Sequence, residues 1–253
     1  MKLLLVILIG MLSIPAAYAY KGTFVDEIKF IQYLDENTAL EEVRNGNLDL
    51  YYYRISSDRI DSVKAREGLQ VYESTGGSYS ILINPAVSEK FNPFSIKEVR
   101  FALNYLVDRK LIVNELMGGY GTTMISNYGP FDPDYLFIVD ELESFHFRYN
   151  PALAEEMISK ALTEAGAKKI DGKWTFDNKE IELIAFIRSD DPVRKSIGEI
   201  LSSALEKIGF KVTKDFGDLN KAFVNVYGSN PSDLKWSFYT EGWGGRSAFV
   251  KYD

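Results

Sequence analysis

The sequence predicts an α/β fold. Apolar runs of strand length alternate with amphipathic runs of helix length. Several of the helical runs begin at a capping residue followed by proline, and glycines stand where they end. At 253 residues, 46% of them hydrophobic, the chain can bury one large core or two modest ones.

The elements follow in order. Residues 27–33 alternate apolar and polar side chains, as a strand does. Thr38 is placed to cap a short helix over 39–44, with Glu41 as the acid of a capping box, and Asn45-Gly46-Asn47 ends it. Residues 48–55 read as a second strand, in which Tyr51 and Tyr53 share one face while Leu50 and Tyr52 share the other. A helix is expected over 57–66, then strands over 69–73 and 79–84 around Gly76-Gly77. Ser95 and Glu98 form a possible capping box, after which Val99, Ala102, Leu103 and Leu106 fall on one helical face. Asp108 opens a further helix to Leu116, closed by Gly118-Gly119. Residues 120–148 hold Gly129-Pro130 and Asp132-Pro133 and few regular periods, so they read as a long loop of the kind that binds ligands. Asn150-Pro151 starts a helix that stops at Gly166, and Asp191-Pro192 starts another that runs to Ile208 and stops at Gly209. Strands over 181–187, 210–214 and 234–239 and a short helix over 219–227 complete the pattern.

The N-terminus reads as an export signal. Met1-Lys2 is a short positive segment, residues 3–14 are nearly all apolar, Pro15 breaks the helix, and Ala17-Tyr18-Ala19 fits a cleavage site. The alternative is an uncleaved membrane anchor, since the apolar run approaches spanning length.

Composition excludes several function classes. With 36 acidic against 29 basic residues and a net charge of -7, the chain lacks the basic stripe of a nucleic-acid binder. A serine hydrolase would have to use the one histidine, His146, and has no Gly-x-Ser-x-Gly elbow. There is no cysteine and no histidine cluster for a metal, and no cofactor is implied. The run 166–174 is one residue too long for a phosphate loop and carries Trp174 where Ser or Thr would bind the metal. Paired carboxylates leave a secreted glycoside hydrolase as an alternative, though so many acids make pairs uninformative.

Four segments, in order, carry a resemblance. These are Asn92-Pro-Phe-Ser-Ile-Lys-Glu-Val-Arg-Phe-Ala-Leu-Asn-Tyr-Leu-Val-Asp-Arg-Lys-Leu-Ile112, Tyr149-Asn-Pro through Glu164-Ala-Gly166, Leu205-Glu-Lys-Ile-Gly-Phe-Lys-Val212, and Asp233-Leu-Lys-Trp-Ser-Phe-Tyr-Thr-Glu-Gly-Trp243. Their order and spacing resemble the peptide- and oligosaccharide-binding (family 5) class of solute-binding proteins that serve ABC importers. The resemblance implies a bilobal, periplasmic-binding-protein-like type II fold, exported to the extracellular space or cell envelope, with its first lobe incomplete in this chain. It divides the sequence into a signal peptide (1–19), a partial first lobe (20–90), a second lobe (91–240) and the start of a return segment (241–253). The ligand would be a small oligosaccharide or peptide, the partner an ABC permease, and the receptor a monomer without catalytic residues. A lobe that folds but does not bind is the alternative.

Five residues are expected at the ligand. Trp243 is a stacking platform beside glycines, and Asn84 matches the family's strand-ending asparagine at the hinge. Peptide-binding relatives carry an acid shortly after the Gly-Trp pair; here the row reads Gly244-Gly245-Arg246, which disfavours a free amine and favours hydroxyls or a carboxylate. Glu241 could take the amine in place of that acid, and Tyr128 is the aromatic of the 120–148 segment expected to reach the ligand.

Overall fold

The computed structural model describes residues 25–53, 55–73 and 77–243, so the expected signal sequence, Gly76 and Arg246 lie outside the described residues. These residues fall in two compact units that divide between Tyr53 and Arg54.

In the first unit, helix α1 (Glu36–Arg44) buries Ala39 and Leu40. Its cap is Asp35, whose carboxylate accepts from both the backbone N–H and the hydroxyl of Thr38, so the expected cap at Thr38 is corrected to a residue three positions earlier. The carboxylate outcompetes the hydroxyl because it can accept both donors at once. The strands expected over 27–33 and 48–55 are not formed. Among the described residues neither run has a ladder partner, and a strand exists only as part of a pair. Phe30 and Tyr52 nevertheless meet edge-to-face, with ring centroids 6.2 Å apart.

The second unit opens with a 3-10 turn and α2 (Ile60–Lys64), and the strand expected over 69–73 is again absent. Then come β1 (Ser78–Ile83), α3 (Lys97–Leu106), α4 (Arg109–Leu111, continued by a π-turn to Leu116) and α5 (Val139–Ser144). The long helix α6 (Pro151–Glu164) precedes a small meander of β2 (Lys168–Ile170), β3 (Lys173–Phe176) and β4 (Lys179–Glu180). The unit closes with β5 (Glu182–Arg188), α7 (Pro192–Ile208), β6 (Lys211–Gly217), α8 (Leu219–Ala222, continued by a π-turn to Tyr227) and β7 (Phe238–Trp243).

The main sheet has the order β1-β7-β5-β6, with β5 parallel to β6 and β7, and β1 antiparallel to β7. β1 pairs with β7 from Ser78↔Trp243 to Ile83↔Phe238. Strand β1 thus belongs to the same sheet as β5. The turn beyond β1 is fastened back by asparagines: the Asn92 amide donates to the carbonyls of Asn84 (3.0 Å) and Ala86 (2.9 Å).

Strand β5 is apolar on both sides because helices cover both faces. Leu183, Ala185 and Ile187 pack in the large core with α3, α6 and α7, and Phe186 packs on the opposite face with Ala222, Val226, Trp236 and Tyr239. Helix α7 follows from its sequence: Asp191 accepts from the N–H groups of Val193 and Arg194, and Ile197, Leu201, Leu205 and Ile208 form the buried stripe. Gly209 ends it at φ 112°. At Gly198 the helix comes so close to the sheet that a Cβ would sit 2.7 Å from Ile187 Cγ1 and 2.9 Å from Thr240 Cγ2.

Other expectations are adjusted. Ser95 does not cap α3; it lies in a 3-10 turn capped by Asn92, which accepts from the N–H of Phe94. The 120–148 segment is not wholly irregular, since it holds a 3-10 turn over Pro133–Phe137 and helix α5. The last strand begins at Phe238 rather than 234: Leu234 adopts φ 50°, which breaks extended geometry, and Trp236 packs before the ladder starts. The meander β2-β3-β4, not foreseen from the sequence, turns at Asp171-Gly172 and Asp177-Asn178, all four at positive φ, which is the geometry of two-residue hairpin turns.

Candidate functional site

The crossovers α7 and α8 lie on opposite faces of the sheet, and all three parallel strands end at the same edge. The crevice outside the carboxyl ends of parallel strands is where open α/β sheets bind ligands.

Alternation along β7 sorts the residues at that edge. Tyr239, Glu241 and Trp243 share the face covered by α8, and Thr240 and Gly242 share the face covered by α7. The first series rises out of the core: Tyr239 is buried, Glu241 half-buried, and Trp243 46% exposed. The Glu241 carboxylate accepts from the Tyr227 hydroxyl at 2.9 Å and faces the Ser80 hydroxyl at 3.5 Å across the β1–β7 ladder. Partial burial, reinforced by the hydrogen bond to Glu241 and by its charge, pushes the Tyr227 phenol above its ordinary range.

Beside them, Arg188 ends β5. Its guanidinium forks onto Asp190, Nε to Oδ1 at 2.7 Å and Nη2 to Oδ2 at 2.8 Å, while Nη1 donates to the Tyr239 hydroxyl at 3.2 Å. The Arg188 hydrogen bonds hold the Asp190 carboxyl below the ordinary carboxylate range. On the other face, Arg194 of α7 donates from Nη2 to the Gly242 carbonyl at 2.9 Å, and Asp191 accepts from the Tyr79 hydroxyl at 3.4 Å. A Cβ at Gly242 would lie 2.6 Å from the Arg194 guanidinium, so any side chain there makes the arginine swing aside. The edge is thus a polar frame around the half-exposed Trp243 and the Glu241 carboxylate.

The depressed Asp190 carboxyl has a consequence for pH. Its ionised form is favoured by folding, so the stability it contributes is present above the unfolded carboxyl value of about 4 and is lost as pH falls through the lower folded value. Acid titration of the melting temperature is expected to show a steeper loss below about pH 4 in the parent chain than in Asp190→Asn. Superimposable profiles would remove this pair from the acid response.

The structure brings together two of the five expected ligand residues, Trp243 and Glu241. Asn84 is corrected. It is fully buried at the far end of the sheet, its amide donates to the carbonyls of Pro231 and Trp236 (both 2.9 Å), and its side-chain oxygen accepts from the N–H of Ala86 at 3.1 Å. Its hydrogen-bonding groups are committed to backbone, so it holds the strand end instead of touching a ligand. Tyr128 is half-buried in a turn organised by Ser126, whose hydroxyl donates to the Tyr128 carbonyl at 2.6 Å. Sequence reasoning missed Tyr227, Arg188 and Arg194; the strand ending in Arg-Ser-Asp-Asp-Pro before a capped helix was the available signal for the two arginines.

Comparison with known proteins places this arrangement. The chain is 23% identical over 222 residues to the oligopeptide-binding protein AppA of Bacillus subtilis, a match that covers 87% of this chain and 38% of that protein. Among solved structures, AppA in complex with a nonapeptide aligns with a TM-score of 0.58 at 22% identity, covering 86% of this chain and 40% of that one. The mannohexaose-bound periplasmic oligopeptide-binding protein of Thermotoga maritima aligns with a TM-score of 0.62 at 22% identity, covering 87% and 40%. The chain therefore spans about two fifths of the length of these proteins. The likenesses show the fold, an α/β architecture of the type II periplasmic-binding-protein kind. The family model for bacterial extracellular solute-binding proteins, family 5 Middle, matches residues 17–251, and the chain belongs to that family.

Proposed function

We propose that this chain provides the ligand-binding edge of a solute receptor for an ABC importer, which captures an oligosaccharide or oligopeptide outside the membrane and delivers it to a permease. The observation that carries this reading is the pairing of Trp243 and Glu241 on one face of β7, at the carboxyl end of the parallel strands. Trp243 offers an apolar plate for a sugar ring or a peptide side chain. Glu241, fixed by Tyr227, accepts from a ligand hydroxyl or amine. Family membership supports the transport role, and the two ligands named for the relatives, a nonapeptide and mannohexaose, support both ligand classes. Arg246, which stands where an amine-binding acid is expected, tilts the reading toward an oligosaccharide.

Capture works by closure: contacts made only in the closed state shift the population toward it, and the closed receptor docks on the permease. The protein acts as a monomer in the extracellular space or cell envelope, directed there by residues 1–19, and performs no catalytic step.

Tryptophan fluorescence tests the reading. Trp174 and Trp236 are 2% and 5% exposed against 46% for Trp243, so a ligand-induced change reports chiefly on Trp243. Titration with cello-oligosaccharides and then with mixed peptides is expected to give a saturable change with one panel. Trp243→Ala is expected to weaken binding by roughly tenfold or more, read by calorimetry. No response to either panel in a folded protein would mean that this chain alone is not a receptor.

A further inference from the structure

Helices α4 and α5 and the segments beside them border an open concavity of about 320 Å³, within the range of small-molecule sites. We propose that it is a second binding site, for a small organic oxyanion: a carboxylate or phosphate ester joined to a flat apolar body.

The charge of the lining points to an anion. Lys110 and Arg148 both border the cavity, against a single acid, Glu143. Among the described residues neither cation has a carboxylate within ion-pair distance, although acidic residues outnumber basic ones in the chain, 36 to 29. Two cations bordering one concavity suit an oxyanion, which can accept charge-assisted hydrogen bonds from both. The hydroxyls of Thr123 and Tyr135 add two donors. Ile125, Leu142 and Phe147 supply an apolar wall, which calls for a ligand with an apolar body and not a bare inorganic ion.

The imidazole of His146 completes the lining, and its backbone is held in an uncommon state. His146 sits just past the end of α5 at φ 49°, a position glycine or asparagine ordinarily occupies. Its neighbours keep it there. The His146 N–H donates to the Glu143 carbonyl at 3.1 Å, and the Tyr105 hydroxyl donates to the Phe145 carbonyl at 2.9 Å. The rings of Phe145 and Phe147 stack with centroids 5.2 Å apart, and Phe101 meets Phe147 edge-on at 5.1 Å. Phe145 and Phe147 thus lock into the aromatic cluster on either side, and the residue between them lines the cavity.

Because the sequence has one histidine, its imidazole Hε1 proton gives a single, assignable NMR resonance in the full chain. The probes are phenyl phosphate, benzoate and inorganic phosphate, at a fixed pH. Phenyl phosphate or benzoate is expected to move the resonance saturably at millimolar concentration or below, with inorganic phosphate weaker. Lys110→Gln and Arg148→Gln, both exposed and each checked for an unchanged spectrum and melting temperature without ligand, are each expected to weaken binding by about tenfold or more. No saturable shift with the aromatic probes would overturn the proposal. So would equal binding of inorganic phosphate, or undiminished binding in both variants, since either result describes a solvated cationic surface only. None of these outcomes depends on the sugar or peptide reading of the sheet edge.

Discussion

Asn84→Ala is expected to lower the unfolding free energy of the sheet-bearing unit by about 2–4 kcal/mol. Asn84 is fully buried, and its truncation orphans the buried Trp236 carbonyl and removes hydrogen bonds to the Pro231 carbonyl and the Ala86 N–H. The abandoned Trp236 carbonyl costs about 1–3 kcal/mol, and each of the two part-buried hydrogen bonds lost adds about 0.5–1.5 kcal/mol. Asn84→Asp separates the contributions. It keeps an acceptor for Ala86 but sets a carboxylate against two carbonyl oxygens, so it is expected to be no better than alanine at neutral pH. Urea unfolding with a constant m-value is the measurement, and a loss under 1 kcal/mol for alanine would show that the amide is not the clamp described.

Gly198→Val is expected to destabilise the same unit by about 3 kcal/mol, and Gly198→Ala by about 1–2 kcal/mol once the better helix propensity of alanine is offset against the clash. The cause is the contact of α7 with β5 and β7 at Ile187 and Thr240, both fully buried and so unable to swing aside. The test of the cause is a double-mutant cycle. Ile187→Ala is expected to be less damaging in the Gly198→Ala background than alone, because the new methyl occupies part of the space vacated. Additive losses would assign the effect to the helix itself.

The contrast between these two sites shows what could be read in advance. The parts of the fold set by local chemistry were legible: Asp191-Pro192 and Asn150-Pro151 open their helices and Gly209 ends one, as short-range capping rules require. The runs 27–33, 48–55 and 69–73 were misread because alternation signals only the wish to pair, and pairing depends on a partner remote in sequence. The candidate site divided in the same way. Trp243 and Glu241 share a face because of strand alternation, which a sequence displays. Tyr227, Arg188 and Arg194 reach the same edge through crossover helices and a shared register, which no short window contains. Asn84 was noticed for the right position and given the wrong task, since its burial follows from the distant segment 231–237 that closes over it.

Strand β6 has a consequence for how the protein survives at high concentration. It is the outer strand of the sheet, with no neighbour on its far side among the described residues, and it carries a 40% exposed phenylalanine, Phe216. Such an edge offers a template to any extended chain. What guards it is charge: Lys211 is paired with Glu182 at 3.2 Å and Lys214 with Glu206 at 3.8 Å, so an incoming strand must break ion pairs and strip two ammonium groups of water. Protection of that kind is electrostatic, and it weakens as salt screens it. The solubility of this protein is therefore tied to ionic strength through two lysines on one strand.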